Sequence, residues 1–218
     1  MRRTPVPTCA LCPRLAEFRH ENQERYQGWH HAPVPSFGPR DAKLLIVGLA
    51  PGLKGANRTG RPFTGDYAGD LLYPTLLRFG LAKGHFGASP DDTLELIDCR
   101  ITNAVRCVPP ANKPIGSEIN TCRLFLQDEL TAPTSPEERA PSIILTLGGI
   151  AHASTLRALG LKAKAYPFAH GAFYEIGDQR VLASSYHCSR YNVNTKRLTA
   201  EMFETVIGQV KDRLTSAT

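Results

Sequence analysis

A short apolar run, Lys43–Val47, leads directly into a long glycine-rich stretch, residues 48–72, and this succession constrains the fold most strongly. The apolar run is typical of a buried strand. The stretch contains five glycines up to Gly65 and no acidic residue before Asp66. A loop of this length is either functional or a mobile surface connection. Open α/β sheets bind ligands in loops that leave the carboxyl ends of their strands, so this stretch is a candidate ligand site.

The same succession of strand, loop and helix recurs about four times along the chain. Further strands are predicted at 96–105, 142–147 and 181–185, and helices at 13–26, 71–79, 117–130, 149–159 and 195–214. This alternation predicts a parallel sheet covered by helices on both faces. Residues 161–179 are expected to be irregular with a hairpin turn at Gly177-Asp178, and 131–141 to be a surface linker. The length and the absence of repeats favour one domain over residues 1–218.

The chain shows no membrane or secretion signal. It contains no run of eighteen apolar residues, which a membrane-spanning helix would need. The N-terminal residues MRRTPVPTCALC lack the apolar stretch of a secretory signal. We therefore expect a cytoplasmic protein that acts as a monomer and away from membranes.

The positive charge is concentrated in loops. The net charge is +6, and the windows 54–65, 100–117 and 187–197 each hold three basic residues and no acidic one. The remainder of the chain is therefore net acidic. Clustered loop cations favour a polyanionic ligand, either a nucleic acid or a phosphate compound, over a generally adhesive surface.

Six cysteines in a reducing compartment are not expected to form a disulfide framework. Cys9-x2-Cys12 and Cys107-x14-Cys122 make a set of four that suits metal or cluster binding. Structural zinc usually takes two closely spaced pairs, whereas an iron–sulfur cluster tolerates wider spacing, so both remain open with iron–sulfur favoured. Cys99 falls within a strand pattern and is expected to be a buried apolar residue.

Polar side chains also follow the ends of two later strands. Asn103 can present an amide donor and acceptor, which suits the edge of a nucleic-acid base. His187 can act as a base, as a donor to a developing anion or as a metal ligand. Arg190 and Tyr191 suit a phosphate contact and a stacked or wedged base. Because the carboxyl ends of parallel strands share one edge, these loops are expected to meet in one cleft.

Taken together and in order, these motifs resemble a uracil-DNA glycosylase. The resemblance rests on Gly48-Leu49-Ala50-Pro51-Gly52, Asn57 to Asp66, Asn103 to Cys107, the Cys-x2-Cys head and His187-Cys188-Ser189. It covers nearly the whole chain and is greatest to the iron–sulfur-containing family 5 (type B).

The resemblance implies a three-layer αβα sandwich around a four-stranded parallel sheet. It also implies a structural 4Fe–4S cluster on Cys9, Cys12, Cys107 and Cys122. The implied substrate is DNA containing uracil or other deaminated bases such as hypoxanthine and xanthine, and the product is an abasic site. The enzyme would associate with the nucleoid while acting on DNA.

The resemblance also implies roles for the site residues. Asp66 and His187 are the expected catalytic pair. The expected base-contacting residues are Gly48, Leu49, Ala50, Gly52, Phe63 and Asn103. The expected DNA contacts are Lys54, Arg58, Arg61, Arg190 and Tyr191.

Two positions depart from related families. Leu49 stands where several of them carry an acid or amide, so the carboxylate must come from elsewhere. Asp66 is the first candidate and Asp70 the second. The apolar Leu49 should also relax selection among bases. Cys188 replaces the proline of the commoner His-Pro-Ser loop, which should leave the backbone beside His187 less fixed.

Two other functional classes compete with this interpretation. A non-catalytic iron–sulfur or zinc DNA-binding module would need the same cysteines and basic loops, but neither Asp66 nor His187. A hydrolase of phosphate compounds is disfavoured, because the chain has no GxxxxGK[ST] motif and no carboxylate cluster for a metal.

Overall fold

The structure, a computed structural model, describes residues 3–131 and 140–216, so most of the linker predicted at 131–141 lies outside the described residues. The strands are β1 (Leu44–Gly48), β2 (Ala82–Lys83), β3 (Glu95–Leu96), β4 (Cys99–Asn103), β5 (Ile143–Leu147), β6 (Ala172–Glu175) and β7 (Val181–Ser185). The α-helices are α1 (Pro13–Arg25), α2 (Ala56–Thr59), α3 (Tyr67–Arg78), α4 (Gly116–Leu130), α5 (Gly149–Ala158), α6 (Arg190–Asn194) and α7 (Ala200–Ser216).

The main sheet has five strands in the order β4-β1-β5-β7-β6. The first four are parallel, which confirms the predicted parallel sheet. The expectation of four strands and of an irregular 161–179 segment was incomplete, because β6 adds an antiparallel edge strand. Gly177 and Asp178 between β6 and β7 both have positive φ, 84° and 50°, which lets the chain reverse into this hairpin.

Alternate residues of β1 face opposite layers of the sandwich. Leu44 and Ile46 are fully buried in a core shared with α3 and α7. Leu45 and Val47 are buried in a second core with α4 and α5. Strands buried on both faces read as continuous apolar runs, which is why β1 is recognisable in the sequence.

Several helices begin or end elsewhere than the sequence predicted. α3 starts at Tyr67, four residues before the leucine-rich run, because the Asp66 side chain caps its first turn. The predicted loop after β7 contains the short helix α6, capped by Ser189.

Within the part of the chain that the structure describes, no helix has the length and apolar character to cross a membrane.

Candidate active site

A cavity of about 570 Å³ opens where the parallel strands end. Its walls come from the stretches 49–56, 63–68 and 187–190, from Asn103 at the end of β4, and from Asn112 beyond it. The parallel topology explains this meeting of distant segments, because β1, β4 and β7 all end at one edge of the sheet. The volume is in the range of pockets that hold small organic ligands.

Asp66 stands at the junction between the glycine-rich stretch and α3. Its Oδ1 accepts a hydrogen bond from the backbone N–H of Ala68 at 3.2 Å. Burial raises the pKa of Asp66, and hydrogen bonds from the backbones of Ala68 and Gly69 offset this only in part. The cavity therefore contains a half-buried carboxyl group that holds its proton to a higher pH than a free aspartate.

Two glycines make room for this carboxylate. A Cβ atom added to Gly55 would overlap Asp66 Oδ2, and one added to Gly52 would lie 2.9 Å from the same oxygen. Neither glycine has a positive φ, and at position 52 glycine provides space for the carboxylate. Gly55 has φ −96° and ψ −111°, a combination outside the main regions allowed for other residues, so position 55 needs glycine for space and for backbone conformation. The second glycine of the Gly48–Gly52 motif thus allows Asp66 to approach the turn.

Phe63, Asn103 and His187 lie close together around the cavity. The Phe63 ring is buried and stacks with the His187 imidazole at a centroid distance of 5.9 Å and an interplanar angle of 29°. Asn103 lies beside Gly48 in the register of β4 and β1. A Cβ atom on Gly48 would overlap Asn103 Oδ1 and lie 2.7 Å from Phe63 Cζ. Glycine at position 48 therefore lets the amide and the ring share one region.

The imidazole of His187 is held in its neutral form. Burial lowers the pKa of His187 to about 4. A neutral imidazole still carries one N–H donor, so the ring can give a hydrogen bond without bringing a positive charge. The backbone carbonyl of His187 accepts a hydrogen bond from Asn192 Nδ2 at 2.8 Å, and the adjacent Cys188 side chain is buried. These contacts hold the loop at Cys188 without a proline.

The cationic side chains beside the cavity are mostly exposed. Lys54 and Arg190 line the cavity. Arg58 is exposed nearby, and its Nε donates to the Lys54 carbonyl at 3.0 Å. The Arg190 guanidinium lies 5.4 Å from the centre of the Tyr67 ring. Tyr191 follows on α6 with 71% of its surface exposed. These four predicted DNA contacts are accessible from solvent.

The assignment of Arg61 as a DNA contact does not fit the structure. Its side chain is 6% exposed, and its two terminal nitrogens each lie 2.7 Å from a carboxylate oxygen of Asp92. The rings of Phe37, Tyr73 and Phe86 lie 5.2, 5.5 and 5.9 Å from the guanidinium. A guanidinium paired and enclosed in this way has no face available to a DNA phosphate.

The four cysteines assigned to a metal group line a single cavity of about 20 Å³. Cys9 and Cys12 come from the segment just before α1, Cys107 from the loop after β4, and Cys122 from α4. Over residues 3–131 and 140–216, no three His, Cys, Asp or Glu side chains form a group able to hold a metal ion. Four thiols around one cavity are the donor set both of a four-cysteine zinc ion and of an iron–sulfur cluster.

Hydrogen-bond donors point at two of these sulfurs. The backbone N–H of Arg106 donates to Cys122 Sγ at 3.3 Å. The buried Arg19 guanidinium donates to Cys107 Sγ at 3.5 Å. Hydrogen bonds to ligand sulfurs are a usual feature of iron–sulfur sites, because they balance the negative charge of the thiolates. The donor set therefore fits an iron–sulfur cluster.

Sequence reasoning missed three polar residues that line the active-site cavity, namely Tyr67, Asn112 and Ser189. Asn112 has φ 55°, and its Oδ1 accepts a hydrogen bond from the Leu53 backbone at 3.4 Å. The signal for Asn112 was present in the proline-rich loop, because asparagine is one of the few residues that readily adopts this left-handed conformation. Ser189 was part of the quoted His187-Cys188-Ser189 motif but was given no role, and Tyr67 has no distinctive local pattern.

Leu49 connects the active-site cavity with the cysteine region. Its side chain lines the cavity and packs against the apolar cluster that contains Cys107 and Cys122. Its carbonyl accepts a hydrogen bond from Val105 at 2.9 Å. The Leu49 side chain supplies no polar atom to the cavity. Among the described residues that line the cavity, the one carboxyl group belongs to Asp66.

Comparisons with known proteins agree with one another. Residues 35–211 match the family model described as the uracil DNA glycosylase superfamily. A protein of Thermus thermophilus named type-5 uracil-DNA glycosylase is 44% identical over 94% of this chain and 94% of its own length. A protein of the same name from Pyrobaculum aerophilum is 39% identical over 91% of this chain and 86% of its own. A type-4 uracil-DNA glycosylase of Pyrobaculum aerophilum is 31% identical over 84% of this chain and 78% of its own.

Proposed function

The chain belongs to the uracil DNA glycosylase superfamily, and from this premise we propose that it removes uracil from DNA by hydrolysing the N-glycosidic bond. The proposal is supported chiefly by one observation: a half-buried carboxyl group and a neutral imidazole share a cavity large enough for a base. Glycosylases reach the bond by turning the nucleotide out of the base stack. The cavity would receive that nucleotide.

The base would be held between an aromatic face and an amide. Phe63 would stack on the extruded pyrimidine, and Asn103 would form hydrogen bonds with its Watson–Crick edge. Both residues line the cavity, and Asn103 is buried. A base whose edge cannot form hydrogen bonds with the Asn103 amide would leave that buried amide without partners, which is unfavourable. The backbone of Leu49, Ala50 and Gly52 would complete the walls, and Gly48 would lie behind the amide and the ring and give them room.

His187 would stabilise the leaving base. As the glycosidic bond breaks, negative charge develops on the oxygens of uracil. A neutral imidazole N–H directed at one oxygen would stabilise that charge more in the transition state than in the ground state. Since burial already keeps His187 neutral, the donor would need no change of protonation before reaction.

Asp66 would act on the sugar side. The breaking bond leaves the sugar with oxocarbenium character, as in glycoside hydrolysis. A carboxylate near the anomeric carbon would stabilise this charge and take a proton from the attacking water. The raised pKa of Asp66 suits a base better than an ordinary aspartate does. Asn112, on the same cavity wall, could orient the water through its amide.

We also propose a substrate range broader than uracil. Leu49 offers no side-chain hydrogen bond to a base, and a site that demands fewer hydrogen bonds rejects fewer analogues. Hypoxanthine and xanthine are the deaminated bases to test first.

Lys54, Arg58 and Arg190 would hold DNA phosphates, and Tyr191 would fill the gap left in the base stack.

We further propose that Cys9, Cys12, Cys107 and Cys122 hold a 4Fe–4S cluster with a structural role. Such a cluster would tie the N-terminal segment to the loop after β4 and to α4. Purified protein should then contain about four irons per chain and should absorb visible light. Replacement of Cys107 by serine should lower both the iron content and the thermal midpoint. Full stability and activity after loss of all iron would contradict the structural role.

The glycosylase proposal is tested with duplex DNA that contains one uracil, followed by alkali to cleave abasic sites. The wild-type protein should produce strand breaks, and Asp66→Asn should slow single-turnover excision by roughly 10²- to 10⁴-fold. His187→Ala should also slow excision. Asp70→Asn is the matched comparison, because Asp70 is exposed on the first turn of α3.

The outcomes separate the competing functions. Binding without strand breaks by the wild-type protein would favour the non-catalytic DNA-binding module. Full activity of Asp66→Asn with loss in Asp70→Asn would move the carboxylate role to Asp70. The same assay with hypoxanthine and xanthine duplexes tests the proposed range.

A further inference from the structure

Arg61 is enclosed and is not available as a DNA contact, but its surroundings indicate another role. Its ion pair with Asp92 lies among three aromatic rings, Phe37, Tyr73 and Phe86, here called the aromatic cage. A buried ion pair often stabilises a fold no better than apolar side chains of similar volume. Stability alone therefore does not account for this pair, and its further contacts show what it holds.

Arg61 is connected by hydrogen bonds to the turn that carries Phe63. Its Nε donates to Thr64 Oγ1 at 2.8 Å, and that hydroxyl donates to the Pro62 carbonyl at 3.2 Å. The same carbonyl accepts from the Tyr73 hydroxyl at 2.5 Å. The residues on either side of Phe63 are thus both held by the cage or by its ion pair.

Asp92 attaches the other side of the pair to the backbone. Its Oδ2 accepts from the Gly87 N–H at 2.8 Å, and its Oδ1 accepts from the Leu94 N–H at 3.1 Å. The guanidinium and these two N–H groups hold the pKa of Asp92 well below its usual range. The carboxylate is therefore a fixed anchor for Arg61 at any ordinary pH.

Phe63 needs such support. It has φ 51°, a left-handed conformation that is unfavourable for an aromatic residue. Its carbonyl lies where a side chain on Gly69 would be, and its ring lies against Gly48 and stacks with His187. A small change in the turn would move the ring relative to His187.

We propose that Arg61 is a positioning residue: its caged ion pair with Asp92 holds the turn 61–64 and thereby places the Phe63 ring against the extruded base. This inference rests on the proposed function, because it assigns Arg61 to the base-binding step of that reaction. Arg61 itself touches neither the base nor the DNA.

The test is a double-mutant cycle on single-turnover excision of uracil. Arg61→Lys keeps the charge but loses the paired geometry, and Phe63→Leu removes the stacking ring. Arg61→Lys should slow excision by roughly 10- to 100-fold, as expected when a reacting group is misplaced by about 1 Å. In the Phe63→Leu background the same change should cost almost nothing, because the residue through which it acts is gone.

A second variant isolates the connection from the ion pair. Thr64→Val removes the hydroxyl that links Arg61 to the Pro62 carbonyl but leaves the Arg61–Asp92 contact in place. It should reproduce part of the slowing and the same dependence on Phe63. Arg78→Lys is the matched control, because Arg78 pairs with Glu204 on the exposed side of α3 and should leave the rate unchanged.

Each variant is compared as folded protein, with its thermal midpoint measured alongside. Slowing by Arg61→Lys that is equally large with and without Phe63 would overturn the proposal, and so would wild-type rates in folded Arg61→Lys and Thr64→Val. Loss of folding in both would show that the pair serves the scaffold alone, which also overturns it. An inactive wild-type protein would instead overturn the proposed function, and this inference with it.

Discussion

The pKa values of Asp66 and His187 are shifted in opposite directions from those of a free aspartate and histidine, and both shifts have the same physical cause. Burial disfavours the charged form of both, so it raises the pKa of Asp66 and lowers that of His187 to about 4. The result is a carboxyl group that is a stronger base than a free aspartate and an imidazole that is a neutral donor at neutral pH. The proposed mechanism requires this combination.

The pH dependence of excision follows from these two shifts. Because His187 stays neutral down to about pH 4, kcat/KM should show no ionisation near pH 6.5. The rate should fall only at acid pH, as Asp66 takes up a proton above the usual aspartate range. The measurement is kcat/KM on uracil duplex from pH 4 to 9, with stability checked at each pH. An inflection near pH 6.5 that vanishes in His187→Gln would contradict the prediction.

At the scale of whole elements, a buried ionic network between α4 and β4 holds the strand beside the cysteine site. Glu129 of α4 accepts hydrogen bonds from Arg100 Nε at 2.7 Å and from Arg106 at 3.0 Å. Burial alone would raise the pKa of Glu129, but the hydrogen bond from Arg100 and the charge of Arg106 outweigh it and lower the pKa to about 2. The network joins β4 and the loop before Cys107 to α4.

Glu129→Gln should therefore destabilise the fold by roughly 3–5 kcal/mol, because it leaves two buried guanidinium groups without a counter-charge. The free energy of unfolding in urea at pH 7 measures this. The stability that ionised Glu129 contributes is present above its unfolded pKa and is lost as the pH falls toward about 2, so the deficit of the variant should shrink in acid. Glu204→Gln is the control, because its exposed pair with Arg78 should contribute about 1 kcal/mol or less. Equal effects of the two changes would contradict this account.

Across the whole molecule, the basic residues of the three windows 54–65, 100–117 and 187–197 include two groups that differ in exposure. Lys54, Arg58 and Arg190 are accessible around the cavity mouth, whereas Arg61, Arg100 and Arg106 are buried in ion pairs. Of the three basic windows in the sequence, only part of the charge is available to DNA. The remainder holds the loops that carry the site.

Salt dependence distinguishes these groups. Lys54→Ala and Arg58→Ala should each weaken binding to DNA of any sequence and reduce the slope of log K against log salt by about one. Lys162→Ala is the control, because Lys162 follows the end of α5 that points away from the carboxyl edge of the sheet. Fluorescence anisotropy with labelled duplex measures the slopes. An unchanged slope for Lys54→Ala and Arg58→Ala would exclude them from the phosphate contacts.

Local chemistry in the sequence was sufficient to predict the parallel sheet, the polar residues at the strand ends and the grouping of four cysteines. Apolar runs such as 43–47 predict buried strands because both faces of a covered sheet are apolar. Parallel order then brings residues 48–66, 103 and 187 to one edge without further information. The hairpin turn at Gly177-Asp178 was predicted, but the antiparallel strand β6 before it was not. Three of its residues are only half-buried, Glu175 is exposed, and the strand lacks a continuous apolar pattern.

Only the tertiary structure decided what each charged side chain does. Arg61 lies in a basic window like Arg58, yet Asp92 and three aromatic rings from distant segments enclose it. Asp66 caps α3, four residues before the predicted start of that helix, and its raised pKa depends on burial beside the turn that contains Gly52 and Gly55. Periodicity records which side chains are apolar, but the burial of a charge depends on partners that are far away in the chain. The sequence therefore determined the edge at which the site lies, and the packing decided which of its charged residues face the cavity and which support it.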